Sequence, residues 1–223
     1  MERLRLLGAA AGIAFAVIAV IAFAIAPGPS SGYGPTVVEY YTAHGTAALW
    51  QAVLIGVAVV LFLWFVVTFA EQLSAGPLSI VFASVTAGLL MVTVGATETL
   101  GEVYRHVSFV DVSSESYAAA HAVYDVGDGA DHLALFTVAA YVAATAVALL
   151  TSTPPRRRLG WVGIALAGVQ LLNAPYQIFA MSHRSVVVSG VVLIAFIAWV
   201  FVLSILLLVA MRRGTTRLAR TTA

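Results

Sequence analysis

Of the chain's 223 residues, 61% are hydrophobic and only 9% charged, with a mean hydropathy of +1.01, against about 25% charged residues in soluble domains. A water-soluble globule is therefore excluded. All the permanent cations are arginines, cysteine is absent and the net charge is +1. Disulfides, thiolate nucleophiles, lysine Schiff bases and phosphate-loop lysines are thereby ruled out, and no broad basic field exists to attract nucleic acid.

A helix needs about 20 apolar residues to cross a hydrocarbon core about 30 Å thick. The sequence thus predicts an all-α polytopic bundle, one membrane domain over 1–223, with six spans. The first, 6–26, follows Arg3 and Arg5. It is longer than a secretory h-region and is followed by Pro27, so it reads as an uncleaved span. Thr36 and Glu39 have capping-box spacing, which starts a helix that leads into a second span at 46–70, with Gly45 as a point of bending. Gly76 and Pro77 interrupt the chain before the third span, 78–100, where Gly88 and Gly95 suit close helix packing. The fourth span, 130–150, is closed by Pro154 and Pro155. The fifth covers 160–181, with a kink at Pro175, and the sixth covers 186–211.

Cytoplasmic segments of membrane proteins carry the excess of arginine. With both termini in the cytoplasm, arginines 3, 5, 156, 157, 158, 212, 213, 217 and 220 fall inside, and only Arg105 and Arg184 fall outside. The same topology puts all five histidines and eight of the ten acids on the outer side, leaving Glu2 and Glu71 inside. Trp64 and Trp161 then mark the cytoplasmic boundary, and Trp50 the outer one.

On a helix, positions three and four apart share a face. His121, Asp125, Asp128 and His132 fall within about 60° of arc, flanked by Tyr117 and Tyr124. Glu98, Glu102 and His106 form a second series, with Arg105 placed to pair with Glu102. Two chemistries fit these residue types. In one, His121, Asp125, Asp128, Glu98 and Glu102 act as general acids and bases. In the other, His121, Asp125, Asp128 and His132 ligate a divalent metal such as zinc or manganese, a cofactor these residue types allow. Gln51, Tyr124, Gln170, Asn173 and Gln177 are candidate substrate contacts. A plainer reading stands beside these: Asp128, between two glycines, caps a helix that starts there, Asp131 lies in its first turn, and 117–126 forms a separate interfacial helix. Gln170 and Asn173 then fasten the bundle by interhelical hydrogen bonds, and Asp111, Glu102 and Glu115 are solvated rim acids.

The segment Leu61-Phe-Leu-Trp-Phe with Leu73, and Pro155 followed by Leu159-Gly-Trp-Val-Gly163, resemble the small six-span "domain of unknown function" membrane proteins common in high-GC bacteria. The resemblance implies layout and topology and carries no activity. Three functions are expected from the residues. The first is a membrane enzyme performing acid–base or metal-assisted isomerisation, cyclisation or hydrolysis on a lipid or isoprenoid-like molecule. The second is a proton- or metal-coupled carrier. The third is a non-catalytic subunit that docks a protein partner or a second copy through its apolar first and last spans. All three place the chain in the cell membrane, in contact with lipid.

Overall fold

The computed structural model describes residues 2–26, 28–29, 32–73, 77–107, 112–152, 154–180 and 183–221. These form six helices: α1 (Glu2–Ile25), α2 (Gly34–Leu73), α3 (Pro77–Tyr104), α4 (Ser114–Leu150), α5 (Pro154–Ala180) and α6 (His183–Thr221). Each helix packs on the next, α6 closes back on α1, and α2 touches α4 across the middle. Five helices are long and apolar enough to cross a membrane. α5 is not among them on its described residues.

The core at mid-bundle is aromatic. Phe62 of α2 meets Phe15 of α1 at 5.2 Å, Tyr141 of α4 at 5.2 Å and Phe196 of α6 at 5.9 Å between ring centroids. The edge-to-face pairs within this group match the ring quadrupoles. Small residues let the backbones approach. A side chain at Gly8 would strike Thr68, and one at Gly163 would lie 2.8 Å from Ala146. The Trp199 indole N–H donates to the Leu159 carbonyl at 3.0 Å and ties α6 to α5. Gly88 and Gly95 do not play the packing role expected of them, since a Cβ at either meets nothing within 4 Å.

Between α3 and α4 the hydroxyls of Thr86 and Thr137 lie 2.8 Å apart, and each also reaches a carbonyl of its own helix. Hydrogen bonds between membrane helices contribute about 0.6–1.7 kcal/mol. Thr86→Val, which keeps the volume, is expected to lower stability by about 1 kcal/mol. Unfolding of the purified protein in mixed micelles measures this.

α2 and α4 project together at one end of the bundle. α2 has 40 residues and α4 has 37, about 60 and 55 Å at 1.5 Å per residue. The Gln51 side-chain amide donates to the Ala26 carbonyl at 2.8 Å. The end of α1 is thereby fixed beside the middle of α2, so residues 34–50 project beyond it. The projecting turns of α2 and α4, with the last turns of α3, have their own apolar cluster of Val37, Val38, Tyr41, Leu100, Tyr104 and Ala120. Tyr104 donates its hydroxyl to the Ser116 carbonyl at 2.9 Å, joining the end of α3 to the start of α4.

The helix bounds bear on three points of the sequence expectation. α2 begins at Gly34, two residues before Thr36, and runs unbroken through Gly45. α4 is one helix from Ser114, capped by Ser113, whose hydroxyl accepts from the Ser116 N–H. Asp128 is therefore not a cap, and no turn splits the stripe. α5 begins at Pro154 and takes Arg156–Arg158 into its first turns. Proline belongs there because the first turn of a helix needs no N–H donor. The outer helices α1 and α6 pack on each other while presenting apolar surfaces, Val17, Val20 and Phe23 on one and Val191 and Ile194 on the other.

Candidate functional site

Continuity of α4 turns the stripe into two stacked pairs. His121 Nε2 lies 3.4 Å from Asp125 Oδ2, and His132 Nδ1 lies 3.3 Å from Asp128 Oδ2. The upper pair is half exposed; the lower is sheltered, with side chains 18% and 30% accessible for His132 and Asp128. From His121 to His132 the helix rises about 16 Å, so the array descends from the projecting turns toward the bundle.

The upper histidine is oriented from outside its own helix. His121 Nδ1–H donates to the Gly32 carbonyl at 2.6 Å. With Nδ1–H committed there, Nε2 meets the Asp125 carboxylate favourably only when a proton lies between them. The segment carrying Gly32 is itself held close. A side chain at Gly34 would lie 2.5 Å from the Tyr117 carbonyl, and one at Gly32 would lie 3.2 Å from the Tyr124 ring.

Environment separates the roles of the surrounding groups. Burial pushes the Tyr124 phenol up to about 12, and the carboxylates of Asp128, Asp131 and Asp125 push the same way. Burial likewise carries Tyr41 to about 12 against a hydrogen bond from Thr97. Both phenols stay protonated at neutral pH, so neither serves as a base. Burial raises the Asp128 carboxyl above its ordinary value; His132 opposes the rise and Asp125 adds to it. A carboxyl so placed holds a proton more readily than a free one.

Asp131 is a residue the sequence reading left as a helix-start acid. Its side chain is exposed on α4, next in the chain to the lower pair's His132. Its signal in the sequence was its position three residues after Asp128, about 60° round the helix.

The other candidates do not join this array. Glu98 is exposed and lines a groove between α2 and α3. Glu102 is tied to Arg105 by a 2.7 Å ion pair. Gln51 is engaged by Ala26 and fastens α1 to α2, so it is not a free substrate contact. Gln170 is buried on α5 with its Oε1 unpaired, while Asn173 has a partner. The side chains of Gln177 and His183, and all of Asp111, lie outside the described residues. Among the described residues no three His, Asp or Glu side chains gather as metal ligands. The four-ligand reading of the stripe fails on axial spacing: residues that share a face but stand about 16 Å apart along it cannot bind one ion.

Fold and site together define a membrane-type helical bundle with an array of ionisable side chains at one end. Comparison with protein-family models, curated proteins and solved structures yields no match to this chain.

Proposed function

We propose that the chain is a six-span protein of a bacterial cell membrane, both ends cytoplasmic, that performs acid–base chemistry at its outer face on a lipid or isoprenoid-like substrate. The reaction class is isomerisation, cyclisation or hydrolysis. Topology rests on the arginine partition and on the 27-residue length of α5, which is sufficient to span. The observation that carries the chemistry is the stacking of two His–carboxylate pairs on one face of α4, where each pair can hold and pass a proton. Tyr124 stands beside them as a donor to a developing negative charge.

The carrier reading meets an obstacle in the other half of the bundle. Between His132 and Glu71 at the opposite end, the Tyr141 phenol is the only ionisable side chain among the described residues of the spans. A proton path across the membrane needs a chain of such groups, whereas one-sided chemistry does not. The test is a comparison of lipid extracts from cells expressing the wild type and the double variant His121→Ala, Asp125→Asn. A lipid species that changes with the wild type and not with the variant is the expected result. Indistinguishable extracts, together with proton uptake by wild-type vesicles, would favour the carrier.

A further inference from the structure

A second surface, on α2 and α3, carries a carboxylate that the α4 array does not use. The two helices pinch together near the projecting end. A Cβ at Gly45 would lie 2.7 Å from the Arg105 Cβ, and one at Gly101 would lie 3.0 Å from the Leu49 Cγ. Beyond the pinch the helices diverge. Val53, Gly56, Val57 and Val60 of α2 face Met91 and Val94 of α3 across a groove of about 510 Å³, and a Cβ at Gly56 would meet nothing within 4 Å. Val53, Val57, Val60 and Met91 are exposed, so the groove opens on the outside of the bundle.

Glu98 lines this groove, and every other described lining residue is apolar. The contacts of Gly45 with Arg105 and of Leu49 with Gly101 set an antiparallel register that puts Glu98 level with Ala52. From Ala52 to Leu61 the groove runs about 14 Å along α2. The carboxylate thus stands near the pinched end of an apolar channel. Glu98 has no hydrogen bond or ion pair among the described residues. Arg105, seven residues further along α3, is committed to Glu102 at 2.7 Å.

We infer that the groove binds one single-chain alkylammonium amphiphile, its ammonium on Glu98 and its chain along Gly56 toward Leu61. An unpaired carboxylate at the edge of hydrocarbon is costly, and an ammonium pairs with it through charge-assisted N–H···O bonds. The chemistry of the lining selects the head. No cation lines the groove to receive a phosphate, and in a phospholipid the phosphate stands between the chains and any ammonium, where it would meet Glu98 first. An amine joined directly to its chain puts the charge and the apolar body in the order that the groove presents them. The groove shares no residue with the α4 array, so its failure would leave the acid–base reading standing, and the reverse also holds.

The test is native mass spectrometry of the full-length protein in a nonionic detergent at neutral pH, titrated separately with decylamine, decanol and dioleoyl phosphatidylethanolamine. One saturable decylamine adduct is expected, favoured about tenfold over decanol, as a hydrogen bond to a charged group gives. Glu98→Gln, a change at an exposed side chain, should bring decylamine down to the level of decanol and leave decanol unchanged. Gly56→Leu fills the groove and should weaken both about tenfold. Equal retention of decanol and decylamine by the wild type overturns the inference, because the groove then takes any chain. A preference for the amine that survives Glu98→Gln overturns it, as does undiminished binding by a folded Gly56→Leu protein. Displacement of decylamine by an equal concentration of the ethanolamine phospholipid overturns it in favour of a zwitterionic lipid.

Discussion

Replacing Asp128 by asparagine is expected to lower turnover by about 10²–10⁴-fold, the usual contribution of a positioned general acid or base, with little change in KM. Asparagine preserves the shape and one hydrogen bond to His132 but cannot transfer a proton. The loss therefore falls on kcat and kcat/KM together, the signature of an interaction made in the transition state. The sign of the pH dependence follows from the cause of the shift. Burial holds the Asp128 carboxyl above its ordinary value, so the acid form survives to higher pH than in a free aspartate. Activity that needs this proton is present below that pKa and declines as pH rises through it. In the Asp128→Asn protein this limb disappears along with most of the rate. Kinetics against pH, on the substrate identified from the lipid comparison, measure both. A variant with raised KM and unchanged kcat would make Asp128 a binding group, and an unchanged pH limb would assign the acid elsewhere.

The helical fold was legible because lipid imposes it. Backbone polar groups in hydrocarbon must pair within their own segment, so apolar runs bounded by Gly, Pro and Arg translate directly into helices. The helix ends were less visible. Capped by Ser113, α4 begins sixteen residues before its expected apolar span, because the turns between are stabilised by Tyr104, Tyr117, Val123 and Tyr124 packing in the projecting cluster. That is tertiary burial among projecting helix turns, which an apolarity scan does not register.

The α4 stripe was visible as a helical period, but angular position alone suggested convergence that axial spacing denies. What orients His121 was invisible, since the Gly32 carbonyl is a backbone group 89 residues away with no side chain to advertise it. Glu98 and Glu102 also looked like partners of the stripe. The helix period places them relative to each other and already pairs Glu102 with Arg105, and only packing reveals that Glu98 lines the groove between α2 and α3.

The second large effect concerns the projecting turns. Gly45→Leu is expected to separate α2 from α3 there while leaving the membrane core folded. A Cβ at Gly45 would lie 2.7 Å from the Arg105 Cβ and 3.1 Å from both the Arg105 Cα and the Gly101 carbonyl. Two of these three neighbours are backbone atoms, which cannot step aside without moving the helix. Gly101 offers no relief, because the Gly45 carbonyl and Leu49 already crowd it. Overpacking of this kind costs about 1–3 kcal/mol for an added methyl or two, and leucine adds more. The cluster that must absorb it is small, so the projecting segment should open locally. Hydrogen exchange is the direct measurement: amides in 34–50 and 114–127 are expected to lose protection, while those around Phe62 and Tyr141 keep theirs. Gly56→Ala is the control. It meets no neighbour and replaces a poor helix former with a good one, so it should be neutral or stabilising by up to about 1 kcal/mol. Unchanged exchange in Gly45→Leu would mean that α2 and α3 do not depend on this contact. If protection is lost, turnover should fall with it although no ionisable group has changed. The strap bearing Gly32 is held against Tyr117 and Tyr124 of this same segment, and the carbonyl that fixes His121 moves when the segment does.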